Sequence, residues 1–107
     1  MFKKFVHIGA PTDKKMPNEE YCEDMKVWIS DPEKDEFKFE YLRFEKDSWM
    51  AKEIQTQTHI AVEVESIEKV LPTCDKVLLE PTVVNENCKI AFVLRYGVVL
   101  ELMEIKN

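Results

Sequence analysis

Two histidines and two glutamates of this chain stand in matched local contexts, and together they make a ligand set for one divalent metal ion. His7 lies in Phe5-Val6-His7-Ile8-Gly9 and His59 in Thr58-His59-Ile60-Ala61-Val62, and the chain has no other histidine. Each opens an apolar run. Each is followed by a strand-like run with a glutamate in its middle, Phe37-Lys38-Phe39-Glu40-Tyr41-Leu42 in one case and Val99-Leu100-Glu101-Leu102-Met103 in the other. Two imidazoles and two carboxylates suit a first-row ion such as Zn²⁺, Ni²⁺, Co²⁺, Mn²⁺ or Fe²⁺. The set has no thiolate, which speaks against a closed structural zinc site. Four protein ligands in an octahedral field leave two positions, and a substrate with two neighbouring oxygens fills both. The ion then acts as a Lewis acid that stabilises an enolate or enediolate after proton loss. A glutamate that leaves the ion, Glu101 or Glu40, serves as the base for that proton. A single His or Glu on a strand is most often a partly exposed surface residue. The joint, repeated pattern is what sets these four apart.

The pattern implies two copies of one unit. His7 and His59 are 52 positions apart and Glu40 and Glu101 are 61 apart, so the second unit is longer between its histidine and its glutamate. Matching ends with unequal middles are what a deletion in one copy leaves behind. Two units of this length do not make a solenoid; they suit one pseudo-symmetric domain of 107 residues with a single core. We divide it into a first unit of about 1–47, a linker of about 48–57 and a second unit of about 58–107.

Composition narrows the function. A net charge of -6 excludes non-specific nucleic-acid binding, which needs a basic face. No apolar run is long enough for a transmembrane helix, and the apolar stretch after Met-Phe-Lys-Lys is too short for a signal peptide. Cys22, Cys74 and Cys88 are odd in number and form no CxxC pair, which reads as reduced thiols in a cytoplasmic protein.

The elements that must position the four ligands follow from pattern. Strands are expected over 2–10, 25–29, 58–64, 76–80, 89–94 and 98–105. Residues 36–45 alternate, with Phe37, Phe39 and Tyr41 on one face and Lys38, Glu40, Leu42 and Phe44 on the other. Asp31-Pro32-Glu33-Lys34-Asp35 reads as a turn. Ser66 is the expected N-cap of a short helix from Ile67 to Leu71, ended by Pro72. Pro81 should stop the strand before it, and Arg95-Tyr96-Gly97 should join a hairpin. The second unit thus reads β-α-β-β-β. In the first, Pro11 and Pro17 disfavour a helix, and 11–23 should be an irregular loop or a single turn. The polar stretch 46–57 reads as the linker.

At this level the chain resembles the vicinal oxygen chelate superfamily, which includes glyoxalase I, methylmalonyl-CoA epimerase, extradiol dioxygenases, and fosfomycin- and bleomycin-resistance proteins. The likeness covers nearly the whole chain. It is densest in His59-Ile60-Ala61-Val62-Glu63-Val64, Ile67-Glu68-Lys69-Val70, Leu79-Glu80-Pro81, Ile90-Ala91-Phe92-Val93 and Leu100-Glu101-Leu102-Met103-Glu104. In the first unit it rests on His7-Ile8-Gly9 and Phe39-Glu40-Tyr41-Leu42. The resemblance implies an α+β fold of two βαβββ modules whose mixed, mainly antiparallel sheets curl around a cavity, the first module lacking most of its helix. It implies metal ligands on the first and last strands of each module, which here are His7, Glu40, His59 and Glu101, within one chain or shared between two.

Three functions follow from these readings. The first is a metal-dependent lyase or isomerase of the glyoxalase I or epimerase type, moving a proton on a small substrate with adjacent oxygens. The second is a metal-free small-molecule-binding protein of the bleomycin-resistance type. The third is a partner protein that keeps only the fold. Arg43 and Arg95, the two arginines, are candidates for holding a substrate carboxylate, and Trp28, Trp49, Tyr21 and Tyr96 for walling a pocket. A homodimer is expected, because the missing helix leaves Phe37, Phe39 and Tyr41 without cover and monomers rarely expose so large an apolar patch.

Overall fold

The computed structural model describes residues 1–106. Ten elements order the chain: β1 (Phe2–Pro11), β2 (Glu19–Cys22), β3 (Val27–Ser30), β4 (Phe39–Phe44), α1 (Lys52–Thr56), β5 (His59–Val64), α2 (Ile67–Val70), β6 (Lys76–Asn85), β7 (Cys88–Arg95) and β8 (Val98–Ile105). Single 3₁₀ turns lie at Pro32–Lys34 and Leu71–Thr73. The fold is α+β with little helix. The strands form one continuous, curled sheet in the order β2-β3-β4-β1-β5-β8-β7-β6 rather than two separate sheets. Both halves therefore run outward from the centre in the same sense, β1-β4-β3-β2 on one side and β5-β8-β7-β6 on the other. The antiparallel pairing of β1 with β5 fuses them. The pairings β1·β4 and β5·β8 are parallel and the remaining ones antiparallel.

Alternation sorts each strand into two faces. On β8, Glu101 and Met103 point to the inner face, which lines a cavity of about 240 Å³. Leu102 points the other way and packs with Ile67 and Val70 of α2, Val64, Ala91 and Val93. A second apolar cluster, Met50, Ile54, Ile90, Phe92 and Val99, fills the inner side. The stretch 46–57 is thus more than a polar linker. Its helix α1 turns Ile54 inward, and Met50 and Ile54 are both buried against the cavity. A helix with one buried side chain has no period for a sequence reading to detect.

Three further expectations are corrected. The stretch 11–23 contains β2, an edge strand paired with β3. Pro81 does not stop its strand: β6 runs through it, with register irregularities between Val77 and Thr82. The strand tolerates the proline because it lies at the sheet edge, where a missing N–H leaves no neighbour unpaired. Ser66 makes no side-chain cap of α2. Glu104 does so from β8, its Oε1 accepting from the Ile67 backbone N–H at 2.9 Å. The β7–β8 hairpin forms as expected, with Tyr96 and Gly97 both at positive φ (48° and 82°), the backbone that a tight two-residue turn requires.

Among the described residues no helix covers the outer face of β3 and β4. Tyr21 and Trp28 stack at 4.8 Å between centroids, and the Arg43 guanidinium lies 5.1 Å over Trp28. Phe37, Phe39 and Tyr41 continue the row, at 5.9 and 6.1 Å. Arg43 also donates two hydrogen bonds to Glu19, at 2.8 and 3.0 Å. It therefore sits on the face opposite Glu40 and is engaged there, which removes it as a substrate anchor for the cavity. Arg95, on the distal hairpin, is not at the cavity either. Nor are the four aromatic residues considered as pocket walls; Trp49 instead donates its indole N–H to the Asp24 carbonyl at 2.7 Å.

The Arg43 hydrogen bonds hold the Glu19 carboxyl below its ordinary value of 4.5. A depressed carboxyl stabilises the fold above its ordinary pKa, and that contribution is lost as pH falls through the depressed value. The stability difference between the wild type and Arg43→Ala should therefore be largest near neutrality and shrink below about pH 4.5. Urea midpoints taken from pH 6 to pH 3 measure it.

Candidate metal centre

Register places the four ligands. On the inner face, Gly9 of β1 pairs with Glu40 of β4 on one side and His59 of β5 on the other. Ala61 of β5 pairs with His7 of β1 and Glu101 of β8. Two rows result, Glu40–Gly9–His59 and His7–Ala61–Glu101. In each row the residue between the two ligands is among the smallest available. Strands are about 4.8 Å apart, so the ligands of a row stand two strands apart, and their side chains must lean over the middle residue to meet. At Gly9 the space is already taken: a Cβ built there would clash with the His59 ring, 1.9 Å from its Cε1. In the sequence the two small residues stand two places after each histidine, in His-Ile-Gly and His-Ile-Ala, and only the register gives that spacing its meaning.

The four side chains come together, each offering one ligand atom within 4.8 Å of every other. His7 Nε2 is 3.2 Å from Glu40 Oε1 and 3.3 Å from Glu101 Oε1. His59 Nε2 is 3.1 Å from the same Glu101 oxygen. Ligands held at about 2.0–2.2 Å from one ion lie roughly 3.0 Å apart at a right angle and roughly 3.4 Å apart in a tetrahedron. The three short spacings, 3.1, 3.2 and 3.3 Å, fall between these values. His7, His59 and Glu101 are 4%, 0% and 6% exposed, and Glu40 is half-buried at the cavity wall. All four belong to a single chain.

Two features test whether an ion fits. Buried polar atoms in native proteins are almost always hydrogen-bonded. Among the described residues the buried side-chain nitrogens and oxygens without a partner are His7 Nε2 and His59 Nδ1, both on ligand rings. His7 Nε2 stands near two carboxylate oxygens yet off the line of a hydrogen bond to either, as an atom aimed at a point between them would. The second feature is charge. Burial disfavours the His7 imidazolium, but the carboxylates of Glu101 and Glu40 close beside it outweigh that and raise the pKa to about 10. Burial likewise opposes the Glu101 carboxylate, and the two imidazoles beside it nonetheless hold it below the usual range. Positive charge is favoured between these carboxylates, whether a proton on His7 or a divalent cation supplies it. The cluster can hold a metal ion; its donors do not select one first-row metal over another.

The other walls are apolar. Phe92 meets His59 edge-on at 4.9 Å, and the His7 and His59 rings are 6.0 Å apart at 69°. The cavity opens onto His7, Glu40 and Glu101 and is walled by Val27, Ile29, Leu42, Phe44 and Ile54, among others, while His59 lies behind them, fully buried. Cys22 lines the cavity outside the ligand set, and all three thiols are free. No helix among the described residues is long and apolar enough to cross a membrane. No protein-family model matches the chain, and comparison with curated proteins finds no significant match.

Proposed function

We propose that the protein is a glyoxalase-like, metal-dependent lyase or isomerase that transfers a proton on a small substrate with adjacent oxygens. The observation that carries this reading is the convergence of His7, Glu40, His59 and Glu101 beside an apolar cavity. A bound divalent ion would supply Lewis acidity to two neighbouring substrate oxygens. His59, buried and braced by Phe92, fixes one side of the site. Glu101, facing both imidazoles, is the most constrained carboxylate. Glu40 faces His7 alone and is less buried, so it is the carboxylate best placed to reach into the cavity for a proton. The apolar walls keep water from the reacting carbon.

The reading is tested with Zn²⁺- or Ni²⁺-loaded protein, by isomerisation of hemithioacetals and epimerisation of 2-substituted acyl-thioesters, both made from small uncharged thiols. Glu101→Gln should lose more activity than Arg43→Ala, because the first removes the carboxylate charge that faces both imidazoles and the second lies on the opposite face. Loaded protein that turns over neither substrate, yet binds a flat apolar molecule equally well without metal, would favour the metal-free binding protein.

The protein also acts as a homodimer in this reading, the partner covering the aromatic outer face of β3 and β4. That face has no counterpart of α2, and Phe37 remains 64% exposed on it. Sedimentation should give a dimer that Phe37→Glu with Tyr41→Glu dissociates. A monomeric wild type contradicts it and leaves the metal site standing.

A further inference from the structure

The cavity beyond the ligands limits what its substrate can carry, an inference that rests on the proposed metal-dependent reading of the same site. Apart from His7, Glu40, Glu101 and Cys22, every residue lining it is aliphatic, aromatic or methionine, and no lysine or arginine lines it. Both arginines are accounted for elsewhere. Two carboxylates and two neutral imidazoles around a divalent ion sum to zero, so the site has no surplus charge to attract a distant anion. An anionic or cationic substituent would enter without a partner, and an unpaired buried charge is strongly disfavoured. The volume of about 240 Å³ equals roughly eight waters by their share of the liquid, which is too small for a whole tripeptide or nucleotide carrier. Met25, Met50 and Met103, three of the five methionines, line the cavity. Methionine adapts its shape to apolar groups and makes favourable contacts with aromatic edges.

We infer that the substrate is a small molecule with two neighbouring oxygens and an uncharged, apolar substituent, the substituent lying against Met25, Met50 and Met103. Glutathione adducts and coenzyme A thioesters, both charged away from the reacting oxygens, are then poor ligands.

Three hydroxamic acids with one chelating head separate the cases: acetohydroxamic acid, pentanohydroxamic acid, and the monohydroxamate of succinic acid, which ends in a carboxylate. Each is titrated into the Zn²⁺-loaded full chain carrying ¹³C-methyl methionine, with bound zinc fixed beforehand by elemental analysis. The pentano probe should bind at least about tenfold more tightly than the acetyl probe, given three further methylenes to bury, and at least about tenfold more tightly than the succinyl probe. The methyl signals of Met25, Met50 and Met103 should shift while those of Met1 and Met16 stay. Val84→Lys, at a cavity residue that is 46% exposed and so tolerant of change, should raise affinity for the succinyl probe relative to the pentano probe. Zinc-loaded protein that binds the succinyl probe as tightly as the pentano probe, or that binds with the three cavity methionines unmoved, overturns the inference and leaves the metal centre intact. Protein that retains no zinc overturns both.

Discussion

Glu101→Gln should weaken Zn²⁺ binding by more than about a hundredfold while leaving a folded protein. Changes to groups that only support a metal ligand already cost about 10–100-fold in affinity, and Glu101 is placed as a ligand itself. Its Oε1 faces both His7 Nε2 and His59 Nε2, at 3.3 and 3.1 Å. Glutamine keeps the size and can hydrogen-bond one imidazole, but it removes the negative charge that two imidazoles and a cation require. Titration calorimetry of the metal-free proteins gives the affinities, and circular dichroism shows whether the variant is folded. A folded Glu101→Gln that binds Zn²⁺ within a few-fold of wild type would falsify the assignment of Glu101 as a ligand.

The second large effect lies outside the ligands. Gly9→Ala should destabilise the protein by about 1–3 kcal/mol, as overpacked cores do, and should impair metal binding as well. The added Cβ would stand 1.9 Å from Cε1 of the His59 ring, far inside van der Waals contact. That ring has no space to retreat, since it is fully buried with Phe92 against it at 4.9 Å. Gly97→Ala is the control. Gly97 has φ +82° and nothing within 4 Å of a built Cβ, so alanine there strains only the turn, by about 1–2 kcal/mol, and should leave metal affinity unchanged. If Gly9→Ala keeps wild-type stability and affinity, the row Glu40–Gly9–His59 is not packed as described.

These two residues also show where the sequence was legible. The four clustered residues could be picked out because each histidine heads its own apolar run and each glutamate breaks an alternating one, a pattern that chance rarely produces twice. Gly9 and Ala61 stood in the same motifs but gave no sign of their role, because a small residue takes its meaning from its cross-strand neighbours. Register between β1 and β5 supplies that meaning. The alternation of 36–45 placed Glu40 with Leu42 and Phe44 on one face, and all three line the cavity. Met50 and Ile54 were hidden in a polar stretch whose helix has one buried face residue. Glu104 as the cap of α2 was hidden by distance, since it reaches Ile67 from 37 positions away. Local pattern located the chemistry; long-range pairing decided what covers it and what holds it in place.

Metal content per chain tests the central claim most directly. Full-length protein stripped with a chelator, dialysed against excess Zn²⁺, Ni²⁺, Co²⁺ or Mn²⁺ and then against metal-free buffer should retain one equivalent of at least one ion by elemental analysis. A variant with both His7 and His59 replaced by glutamine should retain none. Wild-type protein that emerges with none of the four, or a double variant that retains the ion equally well, would contradict the account.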